Sequence, residues 1–184
     1  MAADPSLPSH RLVPHPASPP SPVREIRVRA GRDGDYLLLD YLLTGELGEL
    51  LLPEPRAPQP ADELWRHTCF EAFVGRQASS EYAEYNFSPS GEWAAYRFSA
   101  YRADMQKDSQ GSAPKFGIHT SADTFRLSAT VDLRWLTLSR GGTVRLGVTA
   151  VIEDRRGGLS YWALHHSAEK PDFHHPDSFV LEVF

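Results

Sequence analysis

The sequence predicts an all-β domain, a two-sheet antiparallel β-sandwich of the jelly-roll kind, behind a disordered Pro-rich N-terminal tail. Short segments in which apolar and polar residues alternate recur from residue 24 to the end of the chain, and alternation is the pattern of half-buried strands. Turn residues separate these segments at regular intervals, which is typical of sandwiches and jelly rolls. A length of 184 residues suits one domain with a tail, so we divide the chain into residues 1–23 and residues 24–184.

The tail is predicted to be disordered because proline recurs throughout residues 1–23. Each proline removes a backbone donor and fixes φ, and the segment holds few apolar residues whose burial would offset the cost of ordering it. The prolines are Pro5, Pro8, Pro14, Pro16, Pro19, Pro20 and Pro22.

Beyond the tail, about ten short strands are predicted from the alternation and the turn residues between them. The clearest is residues 144–153, in which every second residue is apolar. Residues 88–91 read Ser-Pro-Ser-Gly and form a turn between two strands. The predicted strands are residues 24–29, 36–43, 70–74, 82–87, 93–98, 116–119, 125–131, 144–153, 160–164 and 178–184.

Composition excludes some classes of function. The net charge of −5 and the pI of about 5.9 argue against nucleic acid as a partner, since nucleic-acid binding needs a basic patch. The lone cysteine, Cys69, cannot form an internal disulfide. The sequence shows neither an export signal nor an apolar run long enough to span a membrane. We therefore expect a cytoplasmic protein that binds neither nucleic acid nor membrane, and whose partner is a small molecule.

Polar side chains interrupt the apolar pattern on neighbouring strands. Alternation places Glu71 on the same strand face as Cys69 and Phe73, and it places Glu84 and Asn86 together on the next strand. A carboxylate with apolar neighbours needs a partner or must stay near solvent. Ligand binding is one interpretation.

An internal ion pair is the other interpretation of the polar stripe. Arg97 is in phase with Trp93 on a third strand, and a buried pair between Glu71 and Arg97 would serve only structure. The sequence leaves both interpretations open.

Four sequence runs together resemble a known family. They are W-R-H-T-C-F-E-A-F from residue 65, Y-A-E-Y-N-F-S-P-S-G-E-W from residue 82, S-Y-W-A-L-H-H from residue 160, and D-F-H-H-P-D-S-F-V-L-E from residue 172. The combination is similar to the DOMON-like domains, which are related to family 9 carbohydrate-binding modules, over roughly residues 60–184. The resemblance implies a sandwich or jelly roll with a surface ligand site. Relatives bind sugars or, in other branches, haem, and the sugar modules often carry structural calcium.

The resemblance implies a site in which aromatic rings hold a sugar with help from polar side chains. A pyranose ring has a C–H face that stacks on an aromatic ring, and its hydroxyl groups bond to carboxylate, amide and guanidinium groups. The predicted ligand-binding residues are Trp65, Arg66, Glu71, Asn86, Trp93, Arg97, Trp162, His165 and His175.

The predicted function is non-enzymatic binding of a saccharide or another small polar ligand. The alternatives are a haem-binding domain, a protein-interaction domain, and a glycoside hydrolase that uses Glu71 and Glu84 as its carboxyl pair. The cofactor is unknown, with structural calcium and haem as the options. No metal-binding residues are predicted, because neighbouring histidines on a strand point to opposite faces.

Overall fold

The fold consists of β-strands joined by loops and short turns. The computed structural model describes residues 7–108, 113–134 and 142–184. Within these ranges the regular structure is strand and 3₁₀ turn, and there is no helix long and apolar enough to span a membrane. The strands are β1 Ser9–Pro14, β2 Val23–Asp33, β3 Tyr36–Gly45, β4 Gln59–Pro60, β5 Cys69–Arg76, β6 Tyr82–Phe87, β7 Glu92–Phe98, β8 Gln106–Lys107, β9 Lys115–Thr120, β10 Thr124–Asp132, β11 Val144–Glu153, β12 Leu159–Ala163 and β13 Leu181–Val183.

The strands of the described ranges form one continuous, strongly curled sheet. Its order is β4-β7-β6-β5-β11-β12-β1-β2-β3-β10-β9, with β13 paired to β11 and β8 paired to β7. The prediction of an all-β fold is therefore confirmed. The prediction of purely antiparallel pairing is wrong, because β4 runs parallel to β7 at Gln59 and Pro60.

Strand β1 joins the two halves of the sheet. Residues 9–12 pair with β2, whereas Val13 and Pro14 pair with Ala163 and Trp162 of β12. Because one strand bonds to both halves, the described strands form a single curled sheet where two separate sheets were predicted. The prediction of disorder is wrong for Ser9–Pro14, since the burial of Leu12 and the pairing on both edges order this segment. Residues 1–6 lie outside the described residues.

The main core lies inside the curl. Alternating residues of both halves point inward, as the period of a β-strand requires. Tyr41 from β3 contacts Phe70 from β5, and Phe70 stacks on Phe125 from β10 with ring centroids 5.4 Å apart. These fully buried rings hold the two halves of the sheet against each other.

The outer faces of the two halves differ. On β10 the outward side chains are polar, and Arg126 binds Asp40 of β3 through Nε and Nη2 at 2.7 and 3.0 Å. On β5, β6, β7, β11 and β12 the outward side chains form a second apolar cluster, and Phe173 and Phe179 from the chain after β12 cover it. The strands of this half are therefore buried on both faces, so any polar side chain on them needs a hydrogen-bonding partner.

Candidate functional site

A cavity of about 370 Å³ lies on the outer face of β5, β6 and their neighbours; we call it the outer cavity. Strands β5, β6, β7, β11 and β12 contribute lining residues, and so do three loops, which precede β5, follow β7 and follow β12. The volume is within the range of small-molecule sites. Five of its lining residues are aromatic, namely Trp65, Phe73, Phe98, Tyr161 and Phe173.

Two carboxyl groups face this aromatic cavity, Glu71 from β5 and Glu84 from β6; we call them the carboxyl pair. In the β5–β6 register, Glu71 lies opposite Asn86 and Glu84 lies opposite Phe73. The two glutamates are therefore diagonal neighbours on one face of the sheet, close enough for their side chains to interact. Both are almost completely buried, with exposures of 2% and 4%.

Glu71 is held by contacts on both sides of the sheet. Its backbone carbonyl accepts a hydrogen bond of 2.7 Å from the Tyr41 hydroxyl on β3, across the main core. Its Oε2 accepts a bond of 3.0 Å from the Thr149 hydroxyl on β11. Burial raises the pKa of Glu71 well above its ordinary value, and the nearby carboxyl of Glu84 raises it further.

Glu84 is oriented by the amide of Asn86. Asn86 Nδ2 donates to Glu84 Oε1 at 2.7 Å, and Asn86 Oδ1 lies 3.6 Å from the Cys69 thiol, so the amide bridges β6 to β5. Burial raises the pKa of Glu84 to about 7, against the opposing effect of the Asn86 bond. At neutral pH a large share of this carboxyl is therefore protonated and can donate as well as accept a hydrogen bond.

His174 closes the cavity above Glu84. Its Nδ1 lies 2.8 Å from the Tyr82 hydroxyl, and its Nε2 lies 3.7 Å from Glu84 Oε2. The imidazole also makes edge contacts with Phe73 and Phe98. Burial lowers the pKa of His174 to about 4, and the positive charge of Arg102 contributes. The imidazole is consequently neutral at pH 7 and does not form an ion pair with Glu84.

The lining of the cavity includes a cation, Arg102, which already forms an ion pair. Arg102 Nη2 binds Asp172 Oδ1 at 2.8 Å, and the Tyr101 hydroxyl binds the other oxygen of Asp172 at 2.6 Å. These contacts tie the loop after β7 to the loop after β12. The charge of Arg102 lowers the pKa of Glu84, but its hydrogen bonds go to Asp172 and not to the carboxyl pair.

Trp65 lines the outer cavity from the segment before β5. It lies in the short 3₁₀ turn Leu64–Arg66, which Glu63 enters with a left-handed φ of 57°. Its ring is half-buried and makes an edge contact with Tyr96 of β7, with centroids 5.6 Å apart. A half-exposed indole fixed at the mouth of a cavity presents an apolar surface to an incoming ligand.

Three of the nine residues predicted from the sequence meet at this site. Trp65 and Glu71 line the outer cavity, and Asn86 orients Glu84 beneath it. Trp162 lies elsewhere: it points inward into the main core, where its Nε1 donates to Ser160 Oγ at 3.0 Å. Trp93 also packs against the main core.

The remaining predicted residues lie outside the cavity lining. Arg97 points to the inner side of β7 and pairs with Asp108 at 3.1 Å, so the alternative of a Glu71–Arg97 pair is wrong. Arg66 is exposed and pairs with Glu63, and His165 is exposed. His175 instead caps a turn, where its Nδ1 accepts from the Asp177 backbone N–H at 3.3 Å.

The prediction of ligand residues omitted most of those that line the cavity, among them Glu84, Tyr161 and His174. Alternation placed Glu84 on the same strand face as Asn86. The pairing of that strand with the strand of Glu71 would have brought the two glutamates together. No comparable signal identified His174, because it lies in a loop where strand alternation does not apply. Within residues 7–108, 113–134 and 142–184, no group of three or more His, Cys, Asp or Glu side chains is arranged to hold a metal ion.

Solved structures share this fold. A "putative carbohydrate-binding protein" from Bacteroides uniformis is 17% identical, with a TM-score of 0.74 over 96% of this chain and 85% of that chain. A family 9 carbohydrate-binding module from Caldicellulosiruptor kristjanssonii is 11% identical. Its cellotriose complex has a TM-score of 0.58 over 96% and 81% of the two chains, and its glucose complex 0.56 over 100% and 92%.

These similarities define the class of fold. The chain shares the architecture of family 9 carbohydrate-binding modules, at identities that show the fold alone. No family model matches the chain, and no curated protein matches it.

Proposed function

We propose that this chain is a saccharide-binding module and that the outer cavity holds the saccharide. The observation that carries the proposal is the carboxyl pair at the floor of an aromatic cavity of about 370 Å³. Two solved structures of the same fold are complexes with cellotriose and glucose, which supports a saccharide as the ligand class. A DOMON-like relationship and a cytoplasmic location stay predictions.

The chemistry of the cavity suits a pyranose. Trp65 offers an apolar ring at the opening, on which the C–H face of a sugar stacks. Glu71 and Glu84 offer carboxyl oxygens to its hydroxyl groups, and a protonated Glu84 also donates. Asn86 acts as a positioning residue, because its amide orients Glu84.

Removal of the aromatic platform should weaken binding selectively. We expect isothermal titration calorimetry to show binding of glucose and cellotriose, and Trp65→Ala to weaken it by at least about tenfold, as a central aromatic contact does. Arg66→Ala is the matched control, because Arg66 is the next residue, is exposed and contacts Glu63. The proposal fails if the folded chain binds neither ligand nor any member of a glycan panel, or if the two variants lose equal affinity.

Glycoside hydrolysis is a second candidate function, favoured by one observation. A carboxyl with a pKa raised to about 7 next to a second carboxyl is the arrangement that glycosidases use for general acid catalysis. Incubation with cellotriose followed by analysis for glucose separates the two functions. Release of glucose that Glu84→Gln abolishes would establish hydrolysis, and intact cellotriose in the presence of measurable binding would exclude it for this substrate.

A further inference from the structure

The carboxyl pair has no cationic partner among the described residues. The side chain of Glu71 bonds to the Thr149 hydroxyl, and that of Glu84 bonds to the Asn86 amide and approaches the neutral imidazole of His174. The guanidinium of Arg102 lines the same cavity and lowers the pKa of Glu84, but it forms its ion pair with Asp172. Buried carboxylates are ordinarily paired with a cation, so this pair departs from the rule.

The surroundings of the pair suit an organic cation. Phe73, Phe98 and Tyr161 line the same cavity, and the faces of aromatic rings attract ammonium groups. A bare metal ion would need more oxygen ligands than this aromatic cavity supplies, and the described residues contain no such cluster. An ammonium group needs only two or three acceptors, which two adjacent carboxylates supply.

We propose that the outer cavity selects saccharides that carry a protonated amino group, with the ammonium held between Glu71 and Glu84. This inference rests on the proposed saccharide function and specifies its ligand class. A neutral sugar can bond to the carboxyl groups, but it offers no charge that would stabilise their ionised form. A sugar ammonium supplies both the hydrogen bonds and the missing charge.

Proton release should accompany the binding of the amine. Glu84, with its pKa raised to about 7, is largely protonated at pH 6, and an ammonium favours its ionised form. The other titratable groups near the pair are Cys69, Tyr41 and Tyr82, whose pKa values are raised, the neutral His174, and Arg102 with its partner Asp172. None of these is expected to change charge between pH 6 and pH 7.5. Formation of the complex at pH 6, where the sugar amine is protonated, should therefore release protons from the carboxyl pair.

The test uses three trimers that differ only in the substituent at C2 of each sugar. They are the β-1,4-linked trimers of glucose, of N-acetylglucosamine and of glucosamine, titrated at pH 7 by calorimetry. We expect the glucosamine trimer to bind at least about tenfold more tightly than the other two, as a buried charge pair allows. Repeating the titration at pH 6 in buffers of different ionisation enthalpy measures the released protons.

Glu71→Gln should abolish the preference for the glucosamine trimer over the two uncharged trimers, and circular dichroism reports whether the variant is folded. The matched control is Glu81→Gln, which removes an exposed carboxyl that pairs with Arg76 outside the cavity and should keep the preference. Equal affinity for the three trimers, or a preference that survives Glu71→Gln, overturns the inference and leaves the proposed function standing. Failure of all three trimers to bind overturns the inference, and failure of the whole glycan panel overturns the proposed function as well.

Discussion

Replacement of Leu12 by alanine is expected to lower the free energy of unfolding by about 2–5 kcal/mol, the range for truncation of a buried leucine. Leu12 lies in β1 and is completely buried in the main core, although the Pro-rich sequence around it predicted disorder. Truncation leaves a void where the two halves of the sheet meet at this strand. Urea denaturation monitored by circular dichroism gives the free energy directly.

Val13→Ala supplies the control for this experiment. Val13 is the next residue on the same strand and is 43% exposed, so its truncation should change stability by no more than about 0.5 kcal/mol. A disordered segment would make the two variants indistinguishable from the parent chain. If the urea denaturation curves of both variants have the midpoint and slope of the parent chain, the result contradicts the position of β1 in the sheet.

Glu84→Gln is expected to stabilise the chain by about 3 kcal/mol at pH 8. The folded chain raises the pKa of this carboxyl from 4.5 to about 7, and each unit corresponds to about 1.4 kcal/mol. Above pH 7 the parent chain must hold a buried negative charge that an amide avoids. The uncharged glutamine keeps an acceptor oxygen for the Asn86 amide, so the hydrogen bond that orients the side chain is retained.

The sign of this effect depends on pH. Because its pKa is raised on folding, Glu84 leaves stability nearly unaffected below about pH 4.5, destabilises the chain increasingly as pH rises from 4.5 to about 7, and has a constant effect above that. The variant should thus match the parent near pH 4.5 and exceed it at pH 8. Glu81→Gln, an exposed change near the start of the same strand, should alter stability little at either pH. A Glu84→Gln gain that is equal at pH 4.5 and pH 8 would show that ionisation is not its cause.

Alternation alone could predict most strands and the orientation of their side chains. In β11, Val144, Leu146 and Val148 point inward as the pattern requires. In β5 the same reasoning correctly placed Glu71 on one face with Cys69 and Phe73, opposite the inward Phe70. Where one face is apolar and the other polar, the period of two is sufficient because burial itself sets the register.

The same reasoning could not assign the direction of the side chains in strands that are buried on both faces. In β12, Tyr161 and Trp162 are neighbouring aromatic residues, so composition cannot tell which of them points into the main core. The structure turns Trp162 inward and Tyr161 towards the cavity. The cavity walls were also beyond prediction, because Arg102 and His174 arrive from loops whose position depends on tertiary contacts.

The bridging role of β1 bears on how the chain folds during synthesis. Val13 of β1 pairs with Ala163 of β12, so β1 is synthesised well before the strand with which it pairs. Until β12 emerges, the edge of β1 that faces it is unpaired, and an unpaired strand edge invites association with other chains. The pairing of β1 with β12 is also expected to be slow, because a long stretch of chain separates the two strands. Nascent chains that stall before residue 159 should accordingly depend on chaperones, whereas chains released at full length should not.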